Sequence, residues 1–356
     1  MARDLEPSPA RPWLVADIGG TNARFALVQS GSGEVSAVRS FACADFASPE
    51  AAALAYLQQV ASSGNAVCPA RVALALASAI EGDSVQMTNS AWHVSRAAMA
   101  LALGADEVVL INDFEALALA LPRLAAAGSA AADGAAVRWL GAARPDARLV
   151  MAVLGPGTGL GVAACVPAAA GGGRDIALPG GRDIALPGGR DIALPGEGGH
   201  ATLAPFDEHE SELLRLLRKE WGHVSAERVL SGIGLPSLHR AVCTLRGLAA
   251  VTLTAEEISR RAHDEHDGAC QATLETFCAM LGGFAGNAAL TFGARGGVFI
   301  AGGIAQKLGE TLAASRFRER FEAKGRFQGY LSRIATGVIM APHVALEGAA
   351  RSLLRA

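Results

Sequence analysis

Residues 13–29 read WLVADIGGTNARFALVQ. Six residues of strand type run into a Gly-Gly-Thr turn and return as a second apolar run, which is the pattern of a β-hairpin. Glycines let a backbone come close to an anion, and turn N–H groups with a threonine hydroxyl can donate to phosphate oxygens. Asp17 stands at that turn. A carboxylate there would repel a phosphate unless a cation lay between them, so Asp17 is assigned to Mg²⁺, held through water. The competing reading is an aspartate that caps its own turn.

The same design recurs in LGPGTGLGVA, Leu154 to Ala163. One such hairpin is weak evidence; two, each opening a series of strands and helices, point to a polyphosphate held between two α/β domains. A third glycine site, Gly302-Gly303 in GGVFIAGGIAQK, follows a strand and precedes a helix, where an adenine or ribose can lie against bare backbone. No GxxxxGK[ST] occurs, so the P-loop fold is not indicated.

Outward from the first hairpin, EVSAVRSFA suggests a third strand. SPEAAALAYLQQVA opens a helix with Ser48 as N-cap and Pro49 at the first helical position. RVALALA, EVVLIND and EALALALP continue the alternation of strand and helix, and Leu124 to Pro145 reads as a connector. A second series begins at the second hairpin. It continues through helices around Glu208–Trp221, Leu235–Arg246 and Thr254–His263, the last with a Thr254/Glu257 capping box, and through a long helix in LETFCAMLGGFAGNAALTFG. The fold class expected is α/β with mainly buried sheets, and 356 residues suffice for two cores.

The net charge of −3 gives no basic field for nucleic acid. The longest uncharged run is broken by Pro156, Pro167 and glycines, so no membrane helix is expected. The start, MARDLEPSPARP, lacks the apolar core of a secretory signal, and a cytoplasmic location is expected. Six cysteines without CxxC spacing read as small buried thiols, and His263 with His266 as a solvated helix face or junction rather than a metal site.

For an acceptor, the chain offers Asn112-Asp113 where a strand passes into a helix, a place that faces the usual ligand crevice of α/β folds. Asp113 could serve only as an N-cap. Together the two supply a donor, an acceptor and a base, which is what a hydroxyl substrate needs. Glu197 and His200 in PGEGGH, with Glu227 in AERVLSGIG, add groups suited to sugar hydroxyls.

These stretches, with TNSAWHVS and ERVLSGIGL, resemble in order and over nearly the whole chain from Trp13 the bacterial ATP-dependent glucokinase family of the hexokinase and actin-like ATPase superfamily. The resemblance implies two RNase H-like domains with an interdomain cleft: residues 13–123 plus 341–356 as the small domain, 124–340 as the large one, and 1–12 as a flexible start. It implies ATP and D-glucose as substrates, phosphoryl transfer to O6, Mg²⁺ with ATP, and a homodimer. By motif, Asp113 is the catalytic base, and Asn112, Asp113, Glu197, His200 and Glu227 bind glucose. Ala16, Asp17, Ile18, Gly19, Gly20, Thr21, Gly157, Thr158, Gly302 and Gly303 bind ATP. The cysteine cluster CxCGxxGCxE of the ROK sugar kinases is absent, which places the chain in the other branch and implies no structural zinc. Where the family commonly reads CPI, this chain reads SAI at Ser78–Ile80. Two other readings share the fold: a kinase for another hexose such as mannose, fructose or an amino sugar, and a non-catalytic sugar-sensing or filament-forming protein.

The family pattern lacks one feature of this chain. The octapeptide GGRDIALP is written three times, at Gly172–Pro179, Gly180–Pro187 and Gly188–Pro195. Perfect identity in so few copies fits tandem duplication rather than a solenoid. The third copy, tied to PGEGGH, is expected to pair with GLGVAACV, leaving residues 172–187 as an inserted mobile loop. A shift of eight residues preserves strand facing, so the tether to PGEGGH must select the copy.

Overall fold

The computed structural model describes residues 11–28, 34–61, 67–88, 90–130, 136–168, 176–177, 183–184, 190–249 and 251–354. The chain forms two compact units, Met1–Ala120 with Ala168–Pro195 and Pro342–Ala356, and Leu121–Pro167 with Gly196–Ala341.

In the first unit, β1 (Trp13–Ile18) pairs antiparallel with β2 (Asn22–Val28), and β2 with β3 (Val35–Ala42). α1 (Pro49–Val60) follows, its Ser48 cap accepting from Ala51 N–H. β4 (Arg71–Leu76) lies parallel to β1 on its other side. A small hairpin, β5 (Ser84–Gln86) and β6 (His93–Ser95), and α2 (Arg96–Leu103) lead to β7 (Glu107–Asn112), which lies parallel to β4. The sheet order is β3-β2-β1-β4-β7. One face packs Leu14, Phe25 and Leu74 on Tyr56; the other packs Trp13, Val15 and Ile111 on Leu346 and Ala349 of a C-terminal helix. Burial on both faces is why these strands read as unbroken apolar runs.

From β7 the chain enters α3 (Asp113–Ala130). This helix corrects the connector reading of Leu124 to Pro145: it runs through Pro122, and β8 (Val137–Trp139) then pairs with a later strand. Ala-rich sequence after a proline hid a helix that Leu121, Leu124 and Ala125 bury.

The second unit repeats the opening theme. β9 (Met151–Pro156) and β10 (Leu160–Val166) form an antiparallel hairpin. In the repeat region, β11 (Ile176–Ala177) and β12 (Asp183–Ile184) pair with each other, and β13 (Ile192–Gly196) ends the third copy. The rest of copies one and two, where a mobile loop was expected, lies outside the described residues, as do residues 1–10. Gly196 brings β13 to the edge of the second unit's sheet beside β10, so the third copy is the one at that strand. Ala168–Pro195 nevertheless groups with the first unit, whereas the sequence reading put it in the large domain. The reason is Asp191, which accepts from Ala168 N–H at 2.9 Å and pairs with Arg351 at 2.5 Å.

Four helices follow: α4 (Glu208–Trp221), α5 (Leu235–Leu245), α6 (Ala255–Asp264) with the expected Thr254/Glu257 capping box, and the long α7 (Gly268–Phe292). β14 (Gly297–Ile300) then lies parallel to β9. After α8 (Gly303–Ala314), α9 (Phe317–Glu322) and α10 (Gln328–Leu331), β15 (Thr336–Ile339) lies parallel to β14. α11 (Val344–Ser352) is the C-terminal helix of the first unit. Of the six cysteines, five are buried as expected, but Cys68 is exposed. His263 and His266 are exposed, at the end of α6 and just beyond it.

Candidate active site

Asp17 owes its position to the β1–β2 register, which sets it directly opposite Arg24; the guanidinium Nη1 lies 3.0 Å from Asp17 Oδ2. The carboxylate therefore pairs across strands instead of capping its own turn. Beyond it, Gly19 N–H donates to Asn22 O at 2.9 Å and Cys43 N–H to Thr21 O at 2.8 Å, which fixes the Gly-Gly-Thr turn. Gly19 and Gly20 are half-buried and Thr21 is exposed, whereas Ala16 and Ile18 have no exposed surface. Ala16 and Ile18 alternate with Asp17 and turn their side chains into the core.

In the parallel arrangement of β1, β4 and β7, Ile18, Leu76 and Asn112 lie level at the carboxyl ends of their strands. There β7 stops at Asn112 and α3 begins at Asp113. Asn112 is the helix cap: its Oδ1 accepts from Phe114 N–H at 2.8 Å and its Nδ2 donates to Ser78 O at 3.2 Å. The Asp113 carboxylate accepts from Phe114 N–H at 3.0 Å. The role left open for Asp113, that of N-cap, thus falls to its neighbour. Asn112, in turn, commits its Oδ1 and one amide hydrogen inside the protein, which leaves one amide hydrogen and a lone pair.

Burial pushes the Asp113 carboxyl up to about 7, and the nearby negative charge of Asp17 adds to the effect. Asp17 is itself raised by burial, against the opposing pull of Arg24 and a smaller one from His343. An acid that titrates near neutral pH at the carboxyl end of a sheet suits proton transfer. Arg24 and His343 were not singled out from the sequence. Arg24 could have been found by pairing residues across the hairpin, because the turn fixes the register; His343 is distant in the chain and had no local signal.

The second unit gathers the other candidates. Gly157 N–H donates to Gly159 O at 2.9 Å, and Gly157 O accepts from Gly232 N–H at 2.8 Å, so the second glycine turn is also fixed. Gly302 meets it: its φ of 91° lies in glycine territory, and a Cβ there would stand 2.6 Å from Pro156 O. Thr158 and Gly303 are exposed beside this contact.

Glu197 precedes the short turn Gly198–His200 and His200 ends it, and Glu227 N–H donates to Gly199 O at 2.8 Å. His200 lies 3.7 Å from Glu197 and 4.0 Å from Glu227 across its two ring nitrogens. All three acceptor candidates of this unit therefore converge. Glu227 also supports the second hairpin, its Oε2 accepting from Leu160 N–H at 2.9 Å; a side chain at Gly159 would strike that oxygen at 2.4 Å. Glu197 and His200 are largely exposed and Glu227 is mostly buried.

Among the described residues, no group of three or more His, Cys, Asp or Glu could hold a metal ion, and no helix is long and apolar enough to cross a membrane.

A family model described as Glucokinase matches residues 14–356. A glucokinase of Chromobacterium violaceum is 44% identical over 344 residues, 97% of this chain and 90% of that one. A glucokinase of Paramagnetospirillum magneticum is 43% identical over 95% of this chain and 96% of its own. The crystal structure of a glucokinase from an Antarctic psychrotroph matches with a TM-score of 0.81 at 36% identity, covering 96% of this chain and 98% of that one. The fold is thus the sugar-kinase form of the actin-like ATPase architecture, and the chain belongs to the glucokinase family.

Proposed function

We propose that the protein transfers the γ-phosphoryl group of ATP to O6 of D-glucose, giving glucose 6-phosphate and ADP, the entry step of glycolysis in the cytoplasm. The observation that carries this reading is Asp113, an acid pushed up to about 7 beside the phosphate-type turn of Asp17–Thr21. Phosphoryl transfer asks little covalent chemistry of a protein, so positioning and charge neutralisation dominate. Asp113 accepts the O6 proton as the bond to phosphorus forms. Glu197, His200 and Glu227 accept from and orient the sugar hydroxyls, with Asn112 holding the base. Gly19, Gly20 and Thr21, with Gly157 and Thr158, donate to the phosphates, and Gly302 and Gly303 receive the adenosine. Arg24 adds positive charge at the first turn.

A divalent cation, Mg²⁺, accompanies ATP and offsets phosphate charge. The residues suit it: Asp17 is a hard oxygen donor whose negative charge is offset by Arg24 and, less strongly, by His343. Magnesium is commonly held by one or two carboxylates plus substrate phosphates, so a full protein cage is not required. No zinc takes part, and the protein works as a homodimer.

The test is ADP release over a panel of glucose, mannose, fructose and glucosamine. Glucose should give the highest kcat/KM. A higher value for another hexose would reassign the substrate, and no release with any of them would remove the kinase reading.

A further inference from the structure

We infer that Ser78 is a positioning residue for the sugar: its hydroxyl fixes its own carbonyl, and that carbonyl aims the remaining amide hydrogen of Asn112. The inference rests on the proposed reading of the Asn112–Asp113 junction as the place where glucose binds.

Ser78 lies past the last ladder pair of β4 and β7, which is Leu76 with Asn112. Its peptide is therefore held by other contacts. On one side, Ala77 N–H donates to Ile18 O at 3.1 Å, at the end of β1. On the other, the buried Ser78 hydroxyl accepts from Thr88 N–H at 3.0 Å and lies 3.1 Å from Thr88 Oγ1. Thr88 opens the stretch TNSAWHVS, and Met87 N–H just before it donates to Trp92 O at 3.0 Å. One hydroxyl thus closes the segment from Ser78 to Thr88 and ties it to the base of the β5–β6 hairpin.

Ser78 O then accepts from Asn112 Nδ2 at 3.2 Å, while Asn112 Oδ1 accepts from Phe114 N–H at 2.8 Å. A backbone N–H can only donate, so the Asn112 atom facing Phe114 is the oxygen and the amide nitrogen is the one turned to Ser78. The amide is planar, and fixing one of its N–H bonds fixes the direction of the other. Loss of the Ser78 hydroxyl would free the carbonyl that holds this amide, although Asn112 itself is untouched.

The experiment measures kcat and KM, for glucose and for ATP, in the native protein, Ser78→Ala, Ser78→Cys, Asn112→Ser and the double variant Ser78→Ala/Asn112→Ser. Asn112→Ser keeps a capping oxygen for α3 but has no amide hydrogen to aim. Ser78→Ala should raise KM for glucose about fivefold, the size of one neutral hydrogen bond, with kcat and KM for ATP within about twofold. Ser78→Cys, close to serine in size but a weak acceptor, should give about threefold. Asn112→Ser should raise KM for glucose about tenfold, and adding Ser78→Ala to it should change that value by less than about 1.5-fold. A residue that only supports the fold would add its full factor in both backgrounds. That result would overturn the inference, as would native KM for glucose in Ser78→Ala or an equal rise in KM for glucose and ATP. If Ser78→Ala does not fold, Ser78→Cys takes its place in the same cycle, with the same outcomes deciding. Native KM for glucose in Asn112→Ser would instead sink the reading of the junction on which the inference rests.

Discussion

The hairpins β1–β2 and β9–β10 occupy equivalent places in their sheets: each is an antiparallel pair whose first strand then takes a parallel neighbour. Their charges are arranged differently. The first carries its own carboxylate, Asp17, and its own counter-charge, Arg24, on the facing strand. The second carries no charge in Leu154–Ala163 and borrows a carboxylate from elsewhere in the chain, with Glu227 bound to Leu160 N–H. The charged hairpin raises the acid of Asp113, whereas the neutral hairpin ties its loop to Glu227, the glutamate proposed to bind sugar.

The comparison breaks first at Asp17. Asp17→Asn should lower kcat/KM for ATP by about 10²-fold, read from ADP release over a range of Mg²⁺ concentrations. An unchanged value would mean that the charge of the first hairpin is incidental. At the second hairpin, Glu227→Ala should raise KM for glucose about tenfold. Because it leaves Leu160 N–H without its acceptor, it should also cost about 1–3 kcal/mol in a urea melt. If KM rises without any loss of stability, Glu227 contacts sugar but does not brace the loop; stability lost at constant KM would reverse that conclusion. The smallest effect is expected from the repeats. Deleting Gly172–Pro187 keeps one copy, with Asp191 still available to Ala168 and Arg351, and removes a loop worth only about 1 kcal/mol of closure entropy. Turnover within about twofold of native is expected, and a marked rise in glucose KM would show that the first two copies shape the PGEGGH turn.

Both hairpins, the Asn112–Asp113 junction and the PGEGGH turn were legible because each is a local pattern: a strand period, a turn composition or a cap. What escaped were pairings across long stretches of chain. Asp191 meets Arg351 some 160 positions away, and this contact ties the third repeat to the first unit. His343, whose charge acts on Asp17, is likewise remote. The continuation of α3 past Pro122 failed for another reason: burial of Leu124 and Ala125 outweighs the missing N–H of one proline, and composition alone does not reveal burial.

The central claim is that Asp113 is the base and that its setting tunes it to neutral pH. It is tested most directly by kcat/KM for glucose as a function of pH, in the native protein and in Asp113→Asn. Because burial and Asp17 raise this acid to about 7, the active carboxylate form is lost as pH falls through that value. Native kcat/KM should therefore rise with pH and level off above about 8. Asp113→Asn should lie about 10²-fold lower, without that midpoint, while its glucose affinity stays close to native. A variant that keeps native turnover, or keeps the midpoint near 7, would contradict the assignment.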